Sequence, residues 1–516
     1  MIETALSDVQ ETKAAWTAPD LTRAISNALP DHVGHLSAEQ VSRLLDGLTA
    51  EALKLAVPLD AGRPGDTSLP DDLRLADGTS AYQAPGGRLY ATPHHLDQER
   101  LLAAATTDGR APTVTLAAAN GFIADLAGHG VELGADQAAA LRGILTSGAR
   151  VETLVGPAGT GKSFVVGVLA KAWQDLALWG GEPRRAVGLA SSQIATEVLA
   201  SEGLDARNIT RWLATQERLA TGTGQGEDLR WRLRSGDLVV VDESAMADTQ
   251  DLVRIHAHCH RAGAKLLLTG DHHQLAAVGA GGGMELVAAT GTRHELAETR
   301  RFAHAWEGAA SLRLRERDQT VLADYHKHGR LLDGGALDRA EAAAARAWLA
   351  DTLAGWHALL IVDTNEQLAR LSAQLRADLV RLGRVDDQQS VPLGLQGTWA
   401  GVGDIVQARR NGWHLAGYHG NRRGPINREQ YRVTAVRNDG GLEVRPLLGG
   451  TDHIEGDRIV LPAGYVAQHL TLGYATTVHA AQGLTVDTCQ TVLTQTPPAE
   501  ALYVGMTRGR QATPPT

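Results

Sequence analysis

One stretch, LVGPAGTGKSFVVGVLAKAW at residues 154–173, restricts what this chain can fold into more than any other. A short apolar run enters a glycine-rich turn, and Lys162 and Ser163 then open a segment whose apolar residues recur at helical spacing. Glycines in the turn let consecutive backbone N–H groups converge at the helix N-terminus, where the helix dipole adds positive potential. The turn formed by Gly156, Pro157, Ala158, Gly159, Thr160 and Gly161, completed by Lys162 and Ser163, therefore reads as a cradle for the phosphates of a nucleotide. Lys162 would reach the terminal phosphates and Ser163 would offer a hydroxyl to magnesium, so ATP and Mg2+ are the expected ligands.

Such a cradle needs a strand behind it and a carboxylate beside it. Apolar runs at VETLVG, AVGLAS, DLVVVDE and AKLLLTGD are short, bounded by turns and separated by helical or insert-length segments, the pattern of buried parallel strands in a layered α/β domain. The third run ends in Asp242, placed to hold magnesium through water, and Glu243, placed to orient an attacking water. A second series starts at ALLIVDTN (358–365) and resumes at QTVLTQT (490–496). Between its parts, GDIVQARRNGW, QYRVTAVRN, GLEVRPLL and DRIVLP read as the short strands of a small β-barrel-like insertion. Nearer the N-terminus, Leu36, Val41, Leu44, Leu45 and Leu48 recur at threes and fours behind a Ser37–Gln40 capping box, which predicts a helical module. The Pro-, Gly- and Asp-rich residues 58–87 predict an irregular connection.

With 516 residues and 43% hydrophobic content, the chain can give each of several domains its own core. No apolar run is long enough to cross a bilayer, and the opening MIETALSDVQETK has neither the basic nor the apolar region of an export signal; no membrane insertion and a cytoplasmic location are expected. Cys259 and Cys489 are the only cysteines, which argues against a disulfide framework and against a cysteine-built zinc site. A formal net charge of −10 excludes a uniformly basic surface, so nucleic-acid binding is confined to a local groove. IHAHCHRAG crowds His256, His258 and His260 around Cys259, but on a helix His256 and His260 share a face while His258 points elsewhere, and an ordinary linking helix is expected.

Further segments complete an ordered set. LGADQAAAL places Gln137 ahead of the cradle, LLLTGDHHQLAAVGAGG (266–282) puts Gln274 past a strand end, and ELAETRRF (295–302) carries Arg301. YATTVHAAQGLTVD (474–487) carries His479, Gln482 and Gly483, and YVGMTRGR (503–510) carries Arg508. In this order the chain resembles the superfamily 1 helicases of the RecD-like branch over about residues 130–510. The segments DARNITRWL and RRFAHAWEGAASLRLRERDQTVLADYHKHGR narrow the resemblance to the helicase half of the bifunctional conjugative relaxases of the TraI, TrwC and TraA type.

That resemblance implies an α/β architecture with two RecA-like P-loop NTPase domains built on parallel sheets. The first would span 111–290, with a small insert at about 205–235, and the second 291–397 and 463–516. A small SH3-like β-barrel insertion would occupy 398–462, and an N-terminal helical module with its linker 1–110. By the same resemblance Gln137 reads the adenine, Gln274 senses the γ-phosphate, and Arg301 and Arg508 meet the transferring phosphoryl group; with Lys162, Asp242 and Glu243 they make up the expected catalytic set. The implied activity is ATP-dependent DNA unwinding, 5′ to 3′ along single-stranded DNA, in conjugative transfer, with a relaxase, relaxosome or coupling proteins as partners. His479 and Gln482 would link the cleft to DNA, and Trp212, Trp231, Trp413, Arg409, Arg410, Arg422, Arg423 and Arg428 are candidates to flank the strand. No His-hydrophobic-His cluster with a third His and nucleophilic tyrosines stands at the N-terminus, so a transesterase half is not expected. The chain stops in QATPPT, where another strand and helix are expected to finish the second domain. Two other readings are a RecD-like motor of recombinational repair and a truncated, non-catalytic remnant that docks or binds DNA.

Overall fold

The computed structural model describes residues 1–30, 34, 36–59, 70–74, 87–275, 277, 279–447, 457–493 and 496–511, so most of the expected irregular connection at 58–87 lies outside the described residues. The N-terminal module is not purely helical. Helices Ile2–Thr12, Ala18–Ala28 and Ala38–Leu53 pack with a small antiparallel sheet in which β3 (Leu89–Ala91) lies between β1 (Trp16–Thr17) and β2 (Val57–Leu59). The Ser37–Gln40 capping box forms as expected. Its helix, however, reaches the module's core mainly through Leu45, Leu48 and Ala52, while Leu36 and Leu44 stay exposed.

The next six strands form one parallel sheet: β4 (Val151–Val155), β5 (Ala186–Ala190), β6 (Asp205–Asn208), β7 (Leu238–Asp242), β8 (Lys265–Gly270) and β9 (Thr292–Glu295), in the order β6-β5-β7-β8-β4-β9. The four expected strands β4, β5, β7 and β8 are buried end to end, as continuous apolar runs require when helices cover both faces. Alternate residues feed two cores. Val239 and Val241 pack with Ile255 and Cys259 of helix Thr249–Ala262, whereas Leu238 and Val240 pack with Val165 and Leu169 of helix Lys162–Gln174. The histidine-rich segment thus lies on a linking helix, with the His258 ring edge-on to Trp212 at 5.6 Å. Strands β6 (DARN) and β9 (TRHE) escaped the apolar-run reading because edge strands tolerate polar side chains.

The second half begins with β10 (Ala358–Val362). A hairpin of β11 (Ser390–Leu393) and β12 (Thr398–Gly401) follows, then β13 (Ile405–Ala408), β14 (Gln430–Val436), β15 (Leu442–Pro446), β16 (Ile459–Leu461) and β17 (Leu470–Leu472), which pair antiparallel in the order β16-β15-β14-β13-β17. Strands β18 (Thr476–Thr477) and β19 (Thr488–Thr491) return parallel to β10, one on each side. The ladder of the expected insertion among the described residues extends past residue 462, because its edge strand β17 pairs through Leu472 with Val406. Leu360, Leu371, Val406, Val433 and Leu470 share one core, and Asp404 ties the two parts by accepting from Arg376 Nε (2.9 Å) and the Tyr474 hydroxyl (2.6 Å). Finally, helix Ala499–Met506 brings Tyr503 into a cluster with Ala310, Leu314 and Ala158, which seats the C-terminal segment against the glycine-rich loop.

Candidate active site

Strands β7, β8 and β4 are neighbours and parallel, so the residues following their carboxyl ends converge. Past β4 the loop passes through Gly159 and Gly161, both at φ 82°, a left-handed backbone that side chains disfavour. Space is equally short: a Cβ on Gly159 would lie 2.4 Å from Arg301 Cβ, and one on Gly161 would lie 2.6 Å from Gln137 Nε2. Lys162 opens the helix and its ammonium donates to the carbonyls of Gly156 (2.6 Å) and Pro157 (3.1 Å). Past β7, Asp242 accepts from Thr269 Oγ1 (2.5 Å) and from the Glu243 N–H (2.9 Å). Glu243 takes a left-handed backbone (φ 48°), and its carboxylate lies so close to Gly483 that a Cβ there would be 2.4 Å from Oε1. Past β8, Asp271 accepts from Arg315 Nε (3.0 Å), the Tyr503 hydroxyl (3.2 Å) and Gln274 Nε2 (3.4 Å).

Arg301 and Arg508 border the same place. Arg301 Nη1 donates to the Thr507 carbonyl (2.6 Å), and Arg508, 2% exposed, donates from Nε to Val504 O (3.1 Å) and from Nη2 to Thr507 Oγ1 (3.0 Å). All these acceptors are uncharged. The cavity there, about 500 Å³, is lined by Lys162, Ser163, Asp242, Glu243, Gln274, Arg301 and Arg508, together with Asp271, Arg300, Gln482 and Arg510. Five cationic side chains there face three carboxylates, a surplus that suits a polyphosphate. Burial pushes the Lys162 pKa down, opposed by Asp271 and Asp242. Burial and then Arg508 lower that of Arg301, and burial lowers that of Arg508. Glu243 is pushed up to about 7, first by burial and then by the Asp242 charge. A Ser163 hydroxyl and an Asp242 carboxylate across this cavity form an oxygen donor set that fits Mg2+.

Gln137, expected at an adenine ring, does not line the cavity. It is buried under the loop, its Oε1 accepting from the Gly134 N–H (3.1 Å) and its Nε2 donating to the Thr160 carbonyl (3.0 Å), so here it braces the cradle. Sequence reasoning missed three contributors. Arg300 bridges the Thr160 carbonyl (3.2 Å) and Asp136 (2.6 Å), while Asp271 and Tyr503 link the loop to the C-terminal helix. In the sequence Asp271 is marked by its place at a strand end, and Tyr503 only by lying in the same run as Arg508.

A second cavity, about 330 Å³, adjoins the first, sharing Ser163, Asp242, Glu243, Gln482 and Gly483 with it. It runs past Ser192 and Asn208 to Asn411, Asn427 and Arg428 of the β-insertion. Gln482 lines both cavities, and its Oε1 is buried with no hydrogen-bond partner among the described residues; His479 is exposed and lines neither. Trp413 is 45% exposed, with Arg409 and Arg410 also at the surface. Trp212 and Trp231 are corrected: Trp212 is fully buried because it sits with Ile209 and Leu213 on the core side of helix Ile209–Ala220, and Trp231 is buried under the Arg207 guanidinium, so neither offers a stacking surface. Arg422 pairs with Asp457 (2.9 Å) and Arg423 with Glu429 (2.6 Å), inside the insertion.

Residues 132–336 match a family model described as an AAA domain. The chain is 26% identical over 369 residues to the probable conjugal transfer protein TraA of Sinorhizobium fredii (strain NBRC 101917 / NGR234) and 27% identical over 394 residues to the conjugal transfer protein TraA of Agrobacterium fabrum (strain C58 / ATCC 33970). Those alignments cover 70% and 74% of this chain but 30% and 32% of the relatives, so the chain spans about a third of the length of the curated relatives it matches. Among solved structures it is similar to the Pif1 helicase from Candida albicans, at 16% identity and a TM-score of 0.46, over 74% of this chain and 92% of that one. In sequence the chain resembles the superfamily 1 helicase half of TraA-type proteins.

Proposed function

We propose that this chain is an ATP-driven motor that moves 5′ to 3′ along single-stranded DNA and separates duplex ahead of it, in conjugative transfer. The observation that carries the reading is the meeting of Lys162, Asp242, Glu243, Arg301 and Arg508 around one cavity between two lobes. In an in-line displacement Glu243 orients the attacking water and takes up its proton, while Lys162, Arg301 and Arg508 meet the charge that develops on the transferring phosphoryl group. Ser163 and Asp242 would hold magnesium, which would supply charge neutralisation to the bound phosphates. Glu243, Gln482 and Gly483 border both cavities and so offer a direct route from the first to the second. There Ser192, Asn208, Asn411, Asn427 and Arg428 offer polar partners to a strand backbone, and exposed Trp413 beside Arg409 and Arg410 offers a stacking face. Similarity to proteins named for conjugal transfer favours that setting over recombinational repair, and the convergence of Arg301 and Arg508, both hydrogen-bonded to uncharged acceptors, favours a working motor over a remnant.

Strand displacement on 5′- and 3′-tailed duplexes tests this directly. Unwinding of the 5′-tailed substrate, lost in Lys162→Ala, is expected; unwinding confined to the 3′-tailed one contradicts the direction, and unwinding by the variant contradicts the site. Trp413→Ala is expected to weaken single-stranded DNA binding by about tenfold or more at unchanged melting temperature. Unchanged affinity in a fluorescence-anisotropy titration removes Trp413 from the path.

A further inference from the structure

We propose that Tyr503 is a positioning residue whose hydroxyl ties the glycine-rich loop to Asp271 and so fixes where Arg508 and Arg301 stand over the cavity. This rests on the ATP-hydrolysing reading above. Tyr503 is 1% exposed, and its ring is fixed among Ala158, Ala310, Leu314 and Val321. The hydroxyl uses both its capacities: it accepts from the Ala158 N–H (3.0 Å) and donates to Asp271 Oδ2 (3.2 Å), whose carboxylate is held from the other side by Arg315. Burial, and then Asp271, push the phenol pKa up, so it remains a donor near neutral pH.

From the same residue a second chain leads to both guanidinium groups. The Thr507 hydroxyl donates to the Tyr503 carbonyl (2.7 Å), Arg508 Nη2 donates to that hydroxyl (3.0 Å), Arg508 Nε donates to Val504 O, and Arg301 Nη1 donates to Thr507 O. The segment that aims Arg508 and Arg301 is therefore anchored to the loop and to the end of β8 by one phenol. Losing that hydroxyl leaves a buried N–H and a carboxylate oxygen short of a partner and removes the tie from this segment to the loop and to β8, while its backbone bonds to Val486 and Ala303 remain.

Tyr503→Phe in the full chain is expected to lower kcat for DNA-stimulated ATP hydrolysis about tenfold, with KM for ATP and the stoichiometry of nucleotide binding kept within twofold. In an Arg508→Ala background the same substitution is expected to cost much less, since its effect passes through that guanidinium. Thr507→Val breaks the link between the Tyr503 carbonyl and Arg508, is expected to show the same split, and serves in its place if Tyr503→Phe does not fold. Wild-type kcat in both variants, or an equal fold-loss with and without Arg508, overturns the proposal. A wild-type chain that hydrolyses no ATP is a different result, because it removes the functional reading itself.

Discussion

Replacing Arg508 with alanine is expected to lower kcat for ATP hydrolysis by about 10³- to 10⁵-fold while leaving nucleotide affinity within a few-fold. The side chain is 2% exposed, its hydrogen bonds run to carbonyls and a hydroxyl, and burial works against its charge. A guanidinium held this way costs the fold free energy unless something anionic meets it, and a phosphoryl group gathering charge does so most in the transition state. Lysine is not expected to rescue, since a point charge lacks the planar fork that Val504 and Thr507 orient. Steady-state kinetics with a fluorescent-nucleotide titration separates the two parameters. A loss confined to KM would show that Arg508 holds the ground state only.

Glu243→Gln is expected to cost about 10²- to 10⁴-fold in kcat and to erase a pH dependence present in the wild type. With the Glu243 pKa near 7, wild-type turnover should climb as pH passes through that value and the carboxylate forms. Stability moves the opposite way. The folded pKa lies above the unfolded value of 4.5, so the native state holds the extra proton between about 4.5 and 7, and stability from this group is lost as pH rises through that window. Relative to wild type, Glu243→Gln should therefore gain melting temperature between pH 5 and pH 8, by up to about 3 kcal/mol in stability. Parallel melting curves for the two proteins across that range would contradict a raised pKa.

The cradle and the four central strands of the first sheet were legible because each is a continuous local pattern: glycines before Lys162, and apolar runs buried on both faces. Patterns that depend on distant partners were not. The N-terminal sheet joins strands of two and three residues from positions 16, 57 and 89, too short to display any alternation. Trp212 and Trp413 look alike in composition, yet one is on the core side of an amphipathic helix and the other in a surface turn, which only packing decides. Nothing local marks Tyr503 either, since its hydroxyl acts on Ala158, 345 residues earlier in the chain. Gln137 shows the converse: a motif position fits its expected neighbourhood, while its carboxamide is already engaged on backbone.

Hydrolysis and movement on a strand are one event only if DNA alters the cavity that Lys162 and Arg508 share, and ATP turnover by the wild-type chain with and without single-stranded DNA measures that coupling. Acceleration by DNA, lost on Arg508→Ala, is the expected result. Turnover that ignores DNA, or that persists at the wild-type rate without Arg508, would contradict it.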